Sequence, residues 1–159
     1  MEKYGLIFDM DGVLADTESL IARASVDMFR ELYKVELKAN DFRPFIGTGA
    51  ARYVEGPAEA LGIAIDLDRA LEVRLGNFKK LLDAGECHAC PGAVELIEAA
   101  AGTGDWKLAI ATSSPRPKAM PTLEAAGIPV EMFSEIVTGD MVTHKKPHPE
   151  IYEAAQKAV

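Results

Sequence analysis

The sequence has little cysteine and histidine, an excess of acidic over basic residues, and no long apolar run. Its 159 residues include 2 cysteines and 3 histidines. No apolar run approaches the roughly 18 to 20 residues that a membrane-spanning helix requires. The start, Met1-Glu2-Lys3, leads straight into a strand-like segment and is too short and acidic for a signal peptide. We therefore expect a cytoplasmic protein, or a stromal one if a targeting segment is missing from this chain.

The two cysteines form one isolated CxxC pair, Cys87-His88-Ala89-Cys90. A closed zinc site usually takes four ligands, and no second ligand pair accompanies this one. A thioredoxin-like redox motif would have to follow a strand, and the residues before Cys87 do not have a strand pattern. The pair is interpreted as incidental loop thiols, with redox or metal use as the alternatives.

The charge balance restricts the partners of the protein. A formal net charge of −8 and a pI near 4.9 argue against binding to nucleic acid or to an anionic membrane. A local cationic pocket can coexist with an acidic exterior, so phosphorylated substrates are not excluded.

Strand-like and helical segments alternate at both ends of the chain, with a helical block between them. The predicted strands are residues 4–8, 108–111 and 135–138. The predicted helices are residues 17–33, 52–61, 68–82, 93–101, 121–127 and 149 to the terminus. Pro121 is taken as the first helical residue because proline breaks a helix interior but is tolerated at its start.

This alternation predicts an α/β fold with a Rossmann-like parallel sheet and an inserted all-helical cap. The core is assigned to residues 1–15 and 90–159, and the cap to residues 16–89. Only three core strands are recognisable, so the sheet is expected to be incomplete.

Two carboxylates directly follow the first predicted strand, in Phe8-Asp9-Met10-Asp11-Gly12. Ligands of open α/β sheets bind beyond the carboxyl ends of the strands, so Asp9 and Asp11 are expected to project into that crevice. One carboxylate could attack phosphorus while the other protonates the leaving oxygen and then activates water. A polar strand end, an Asx turn or a calcium loop uses the same residue types, but no later oxygen ligands complete a calcium loop.

Polar residues also follow the second predicted strand and precede the last helix. Thr112 and Ser113 offer hydroxyl and backbone N–H groups to a phosphate oxygen, although a strand-to-helix cap prefers the same types. Lys146 is a candidate cation against a phosphoryl group, with a solvated surface lysine as the alternative.

Together these elements resemble the ordered motifs of the haloacid dehalogenase superfamily. Residues 8–18 are similar to its first motif, Thr112-Ser113 to its second, and residues 146–152 to its third. The form of the third motif is that of the β-phosphoglucomutase-like phosphatase branch. The resemblance covers the whole chain, including the insertion after the first motif.

The resemblance implies a Mg²⁺-dependent phosphatase of a small phosphorylated metabolite. It implies that Asp9 is the nucleophile of an aspartyl-phosphate intermediate and that Asp11 is the general acid and base. Thr112 would bind a phosphoryl oxygen, Lys146 would neutralise charge, and Mg²⁺ would be bound by Asp9 and by the backbone carbonyl of Asp11. Asp11 also favours phosphate chemistry over dehalogenation, because a halide leaving group needs no proton.

Three departures from the family pattern qualify this expectation. Mutases of the branch have a lysine and an asparagine where this chain has Pro115 and Arg116, and Arg116 becomes a candidate contact to an anionic substrate. Their cap arginine and histidine correspond to Ala50 and Ile21, which disfavours a sugar-phosphate mutase. The fourth, acidic motif of the family does not occur within these 159 residues.

We therefore expect this stretch of chain to bind Mg²⁺ weakly, to turn over poorly and to self-associate through an exposed sheet edge. With Lys146 alone to offset Asp9 and Asp11, one of the two aspartates is expected to hold its proton more tightly than usual. The alternative function is a non-catalytic fragment that acts as a binding module or as part of a larger chain. A β-phosphoglucomutase-like sugar-phosphate mutase is a weaker alternative.

Overall fold

A computed structural model describes residues 4–159 of the chain. These residues form two compact units. The α/β unit comprises the N-terminal segment up to Thr17 together with Cys87–Val159, and the helical unit comprises Glu18–Glu86.

The strands and helices follow one another in the order that the alternation predicts. The strands are β1 (Tyr4–Phe8), β2 (Trp106–Ala111) and β3 (Glu135–Val137). The helices are α1 (Glu18–Tyr33), α2 (Ala50–Ala60), α3 (Leu67–Asp83), α4 (Ala93–Thr103), α5 (Arg116–Ala125) and α6 (Glu150–Gln156). Short 3₁₀ turns occur at Ala39–Phe45, Val130–Met132 and Gly139–Met141.

The sheet has the order β1-β2-β3 and all of its strand pairs are parallel. Phe8 is paired with Ile110, and Ala111 with Val137, so the three strands end at one edge of the sheet. The predicted fold class, a parallel α/β core with an inserted helical segment, is confirmed. Within residues 4–159, β1 pairs on one side only, and self-association through this edge stays a prediction.

Small side chains let α6 pack closely on the sheet. The buried cluster on this face consists of Ala109, Ala111, Val137, Ile151 and Ala155. Alanine on β2 leaves room for the helix backbone, and Ile151 fills the remaining space. This packing fixes the start of α6 beside the carboxyl ends of the strands.

The helical unit has an aromatic core. Its buried residues are Met28, Phe29, Phe42, Tyr53, Val54, Ala58 and Ala70. The Phe42 ring stacks on Tyr53 at 5.2 Å and lies 5.9 Å from Phe29. No helix within residues 4–159 is both long enough and apolar enough to cross a membrane.

The prediction that α5 begins at Pro121 is wrong, because the helix begins at Arg116 and includes Pro121 in its interior. An interior proline lacks the N–H that would bond the carbonyl four residues earlier, which here belongs to the exposed Pro117. Water can therefore satisfy that carbonyl. Burial of Ala119, Thr122 and Leu123 on both sides of Pro121 offsets the lost hydrogen bond.

Candidate active site

The loop after β1 is a tight turn built around Met10. The Met10 carbonyl accepts the N–H groups of Val13, Leu14 and Ala15 at 3.2, 2.9 and 3.0 Å. Gly12 has a φ of 73°, a left-handed conformation that glycine adopts without strain. The Met10 side chain is fully buried, whereas the aspartates on either side of it remain partly exposed.

Asp9 is held through one of its two carboxylate oxygens. Oδ1 accepts the Met10 N–H at 2.8 Å and lies 3.0 Å from Lys146 Nζ. Lys146 Nζ also donates to the Ala111 carbonyl at 3.0 Å and lies 4.8 Å from the centroid of the Tyr152 ring. Lys146, the predicted cation against a phosphoryl group, thus lies beside Asp9, and its role toward a phosphoryl group stays a prediction.

Asp11 lies in a denser network. Its Oδ1 accepts the Thr17 hydroxyl and the Lys118 ammonium, each at 2.7 Å, and its Oδ2 accepts the Ser114 hydroxyl at 2.8 Å. Lys118 Nζ also donates to Ser114 Oγ at 2.8 Å. The Lys118 and Asp11 side chains are 13% and 27% exposed, so water screens this ion pair only in part.

Two opposing effects set the pKa of Asp11. Burial is the largest single effect and raises the pKa, but the charge of Lys118 and the hydrogen bonds of Lys118, Thr17 and Ser114 together lower it below its ordinary value. The prediction that Lys146 alone offsets the two aspartates is wrong, because Lys118 supplies a second cation.

Lys118 is the site residue that sequence reasoning missed. It lies in the first turn of α5, and a helix start at Pro121 would have left it in a loop. A usable signal was present, since Pro115 and Pro117 in the sequence Pro-Arg-Pro-Lys are typical of a helix start. A helix that begins there points its first turn toward the loops at the ends of the strands.

The loop after β2 is fixed by backbone hydrogen bonds. Thr112 N donates to the Val137 carbonyl at 3.0 Å, and Ser114 N donates to Thr112 Oγ1 at 3.1 Å. Gly139 N donates to the Ser114 carbonyl at 2.9 Å. A side chain at position 139 would collide with the Ser113 carbonyl, so this close approach requires glycine.

The predicted substrate contacts on and after this loop differ in exposure. Thr112 is fully buried, and Ser113 is exposed. The backbone N–H of Arg116 donates to Asp140 Oδ1 at 3.1 Å, while its side chain is exposed. Among the described residues, neither the Ser113 nor the Arg116 side chain hydrogen-bonds to Asp9 or Asp11.

The surroundings of both cysteines raise their pKa. Burial raises the pKa of Cys87, and so do the nearby charges of Asp11 and Asp16; burial likewise raises the pKa of Cys90. Reactive thiols and metal-ligating thiolates need the opposite shift. This environment favours the interpretation as incidental loop thiols.

The oxygen donors at Asp9 are of the kind that Mg²⁺ prefers. The hydrogen bond and ion pair given for the Asp9 carboxylate involve Oδ1, and the backbone carbonyl of Asp11 offers another oxygen of this kind on the same loop. The Asp11 carboxylate is already engaged by three donors. The donor set therefore fits a hard cation that retains several water ligands.

Paired carboxylates, a hydroxyl loop and a lysine thus lie at the carboxyl edge of a parallel sheet. Residues 6–159 match the sequence profile of the haloacid dehalogenase-like hydrolases. The chain belongs to this family, as its motifs predict.

Similar proteins occur in a plant and in bacteria. Protein SUPPRESSOR OF QUENCHING 1, chloroplastic, of Arabidopsis thaliana is 40% identical over 157 residues, which cover 96% of this chain and 14% of that protein. Protein CbbY of Cereibacter sphaeroides is 37% identical over 162 residues, covering 94% of this chain and 68% of that protein. The phosphorylated carbohydrates phosphatase of Thermotoga maritima is 33% identical over 159 residues, which cover 92% of this chain and 66% of that protein.

The fold agrees with the crystal structure of CbbY from Rhodobacter sphaeroides in complex with phosphate. The TM-score is 0.81 at 30% identity, and the alignment covers 99% of this chain and 72% of CbbY. A variant of CbbY has also been crystallised with xylulose-(1,5)bisphosphate. The chain thus spans about two thirds of its bacterial relatives, and a much smaller share of the plant protein.

Proposed function

We propose that this chain supplies the phosphoryl-transfer site of a phosphatase that hydrolyses a small phosphorylated metabolite. The observation that carries the proposal is the unequal state of two aspartates on one loop. The hydrogen bond and ion pair of Asp9 involve one of its oxygens, whereas both oxygens of Asp11 are engaged. Such a pair can divide the work between a nucleophile and a proton carrier.

Asp9 is the nucleophile in this proposal. The Met10 N–H and Lys146 hold Oδ1, which leaves Oδ2 to attack phosphorus while the bond from phosphorus to the leaving oxygen breaks. The product of this step is an aspartyl-phosphate. Lys146 stabilises the negative charge on the transferring group, which is the main catalytic requirement of phosphoryl transfer.

Asp11 carries the protons. Its lowered pKa keeps the carboxylate ionised, so it is ready to accept a proton from the water that attacks the aspartyl-phosphate. Protonation of the leaving oxygen requires that Asp11 first take up a proton. A substrate phosphate that attracts Lys118 away from Asp11 would favour this uptake, because the loss of a nearby cation raises a carboxyl pKa.

Mg²⁺ is the proposed cofactor, held by the Asp9 carboxylate and the backbone carbonyl of Asp11. When bound, it would neutralise negative charge on the phosphoryl group. Thr112, Ser113 and Arg116 are the proposed substrate contacts, through hydroxyl, backbone N–H and guanidinium groups. The helical unit is the proposed cap that selects the substrate.

The relatives support a phosphorylated sugar or a similar small metabolite as the substrate. One relative is named a phosphorylated carbohydrates phosphatase, and CbbY binds a sugar bisphosphate in its crystal structure. The net charge of −8 supports neither nucleic acid nor an anionic membrane as a partner. The plant relative is named chloroplastic, so an organelle stroma is proposed beside the cytoplasm as the compartment.

The substitution Asp9→Asn tests the proposed function. Because an amide cannot act as the nucleophile, release of para-nitrophenol from its phosphate ester should fall at least ~1000-fold with Mg²⁺ present. The circular dichroism spectrum should not change. Asp27→Asn, in an exposed ion pair with Arg30, is the control and should retain normal turnover. Near-normal turnover by the Asp9 variant, or no turnover of any sugar phosphate by the unmodified protein, would contradict the proposal.

A further inference from the structure

A second cluster of ligand-type side chains lies outside the carboxylate loop. His144 and His148 are four residues apart in the segment between β3 and α6. Their rings are 4.6 Å apart between centroids and tilted by 32°. One ligand atom from each histidine and one carboxylate oxygen of Glu150 all lie within 4.8 Å of one another.

Glu150 is fixed in place and charged. Its Oε1 accepts the Thr143 N–H at 2.8 Å, and its Oε2 accepts the His144 N–H at 2.8 Å. These two backbone hydrogen bonds are the main reason that the pKa of Glu150 is lowered to about 2. The two backbone hydrogen bonds hold both carboxylate oxygens in a defined orientation.

The two histidines are oriented by this carboxylate and by the helix start. His144 Nδ1 lies 2.7 Å from Glu150 Oε2, and Glu150 N donates to His148 Nδ1 at 3.2 Å. These contacts hold both imidazoles next to the Glu150 carboxylate. The His144 side chain is 64% exposed, so an ion can reach it from solvent.

We propose that His144, His148 and Glu150 form a binding site for a borderline divalent transition-metal ion such as Zn²⁺. Two imidazoles and one carboxylate suit Zn²⁺, Ni²⁺ or Cu²⁺, whereas Mg²⁺ prefers oxygen ligands alone. The spacing of three residues between the histidines is common among zinc ligands. Three protein ligands leave at least one coordination position for water.

The site is placed to influence the segment that carries Lys146. Lys146 lies between the two histidines in sequence, and its Nζ contacts Asp9 and the Ala111 carbonyl. An ion bound to His144 and His148 would link both sides of Lys146. Amide hydrogen exchange in residues 143–150 is therefore expected to slow when the metal binds.

The sequence offers a matched control for the test. His88 is the third histidine of the chain, and with Cys87 and Cys90 it forms the competing candidate site for a soft metal. The proposal therefore requires that His144→Gln and His148→Gln weaken binding and that His88→Gln does not. Glu150→Gln is less informative, because it also removes the acceptor of two backbone hydrogen bonds.

The experiment is a calorimetric titration of the chain and its variants with ZnCl₂ in excess Mg²⁺, repeated with Co²⁺ while its visible spectrum is recorded. The expected result is one bound ion per chain, with affinity reduced at least ~10-fold in either ligand variant and unchanged in His88→Gln. The Co²⁺ spectrum should show no thiolate-to-metal charge-transfer band. No binding by the unmodified chain, displacement by Mg²⁺, a thiolate band, or equal weakening in His88→Gln would each overturn the proposal.

Discussion

The two units use charged side chains in different ways. In the α/β unit, Lys118 and Asp11 are 13% and 27% exposed and share hydrogen bonds with Ser114 and Thr17. In the helical unit, Arg69 and Glu72 form an ion pair at 55% and 70% exposure. Ion pairs that are partly withdrawn from water depend strongly on both partners, whereas exposed pairs contribute little to stability.

The helical unit, whose exposed ion pairs contribute little to stability, has an apolar core. Phe42 contacts the aromatic rings of Phe29 and Tyr53 and is fully buried. The helical unit therefore depends for its stability mainly on its apolar core, whereas the α/β unit also contains a polar network partly withdrawn from water. Substitutions of each kind can test that division.

The largest stability loss is expected for Phe42→Ala. Removal of a fully buried ring leaves a cavity, and the free energy of unfolding should fall by about 3 to 5 kcal/mol. Leu61→Ala, at a side chain 49% exposed, is the control and should cost less than about 1 kcal/mol. Urea unfolding followed by far-ultraviolet circular dichroism measures both. Equal losses in the two variants would show that the aromatic cluster is not the stabilising core.

A smaller loss is expected for Lys118→Met. The substitution leaves the Asp11 carboxylate without its cation, so the free energy of unfolding at pH 7 should fall by about 1 to 2 kcal/mol after allowance for partial exposure. Lys107→Met, on an exposed position of β2, is the control. A loss no greater than that of the control would show that the ion pair does not stabilise the fold.

The pH dependence of this loss has a defined sign. The folded pKa of Asp11 lies below its ordinary value, so its contribution to stability is full above about pH 4 and is lost as the pH falls through the folded pKa. In Lys118→Met the burial of Asp11 remains while the cation is gone, so the pKa of Asp11 should rise. Asp11 would then protonate at higher pH, and the difference from the unmodified chain should shrink in acid. A difference that is constant from pH 7 to pH 3 would contradict this explanation.

The features that the sequence predicts well are those encoded within a few residues. Asp9 and Asp11 directly follow β1, and their loop turns at Gly12. One short segment therefore predicts the strand, the turn and both carboxylates. Lys118 could not be found this way, because its contact with Asp11 spans 107 residues. It also depends on whether a helix tolerates Pro121, and the burial of neighbouring side chains decides that question rather than local preference.

The position of Lys146 also depends on contacts that are distant in sequence. Its hydrogen bond to Ala111 spans 35 residues, and a lysine before a proline gives no local indication of a partner. Only the resemblance to a family motif indicated its position beside the carboxylate loop. The His144 and Glu150 pairing spans only 6 residues, yet it depends on how the chain enters α6.

The lowered pKa of Glu150 is mainly an effect of hydrogen bonds. Its pKa is lowered to about 2 mainly by the backbone N–H groups of Thr143 and His144 rather than by a buried cation. Its contribution to stability should be full above about pH 4.5 and lost as the pH falls toward 2. In an NMR titration, the amide resonances of Thr143 and His144 should shift with a midpoint near pH 2. A midpoint near 4 would mean that these hydrogen bonds do not persist in solution.

The smallest effect is expected for Arg69→Ala in the helical unit. The ion pair with Glu72 is exposed, and a positive charge in the first turn of α3 opposes the helix dipole, so the two contributions nearly cancel. The free energy of unfolding should change by less than about 0.5 kcal/mol, with little dependence on salt. Asp66→Ala, three residues earlier, removes the side chain that accepts the Arg69 N–H at 3.1 Å and should cost about 1 kcal/mol. If Arg69→Ala proved as costly as Asp66→Ala, an exposed pair would matter as much as a helix cap, and the contrast between the two units would fail.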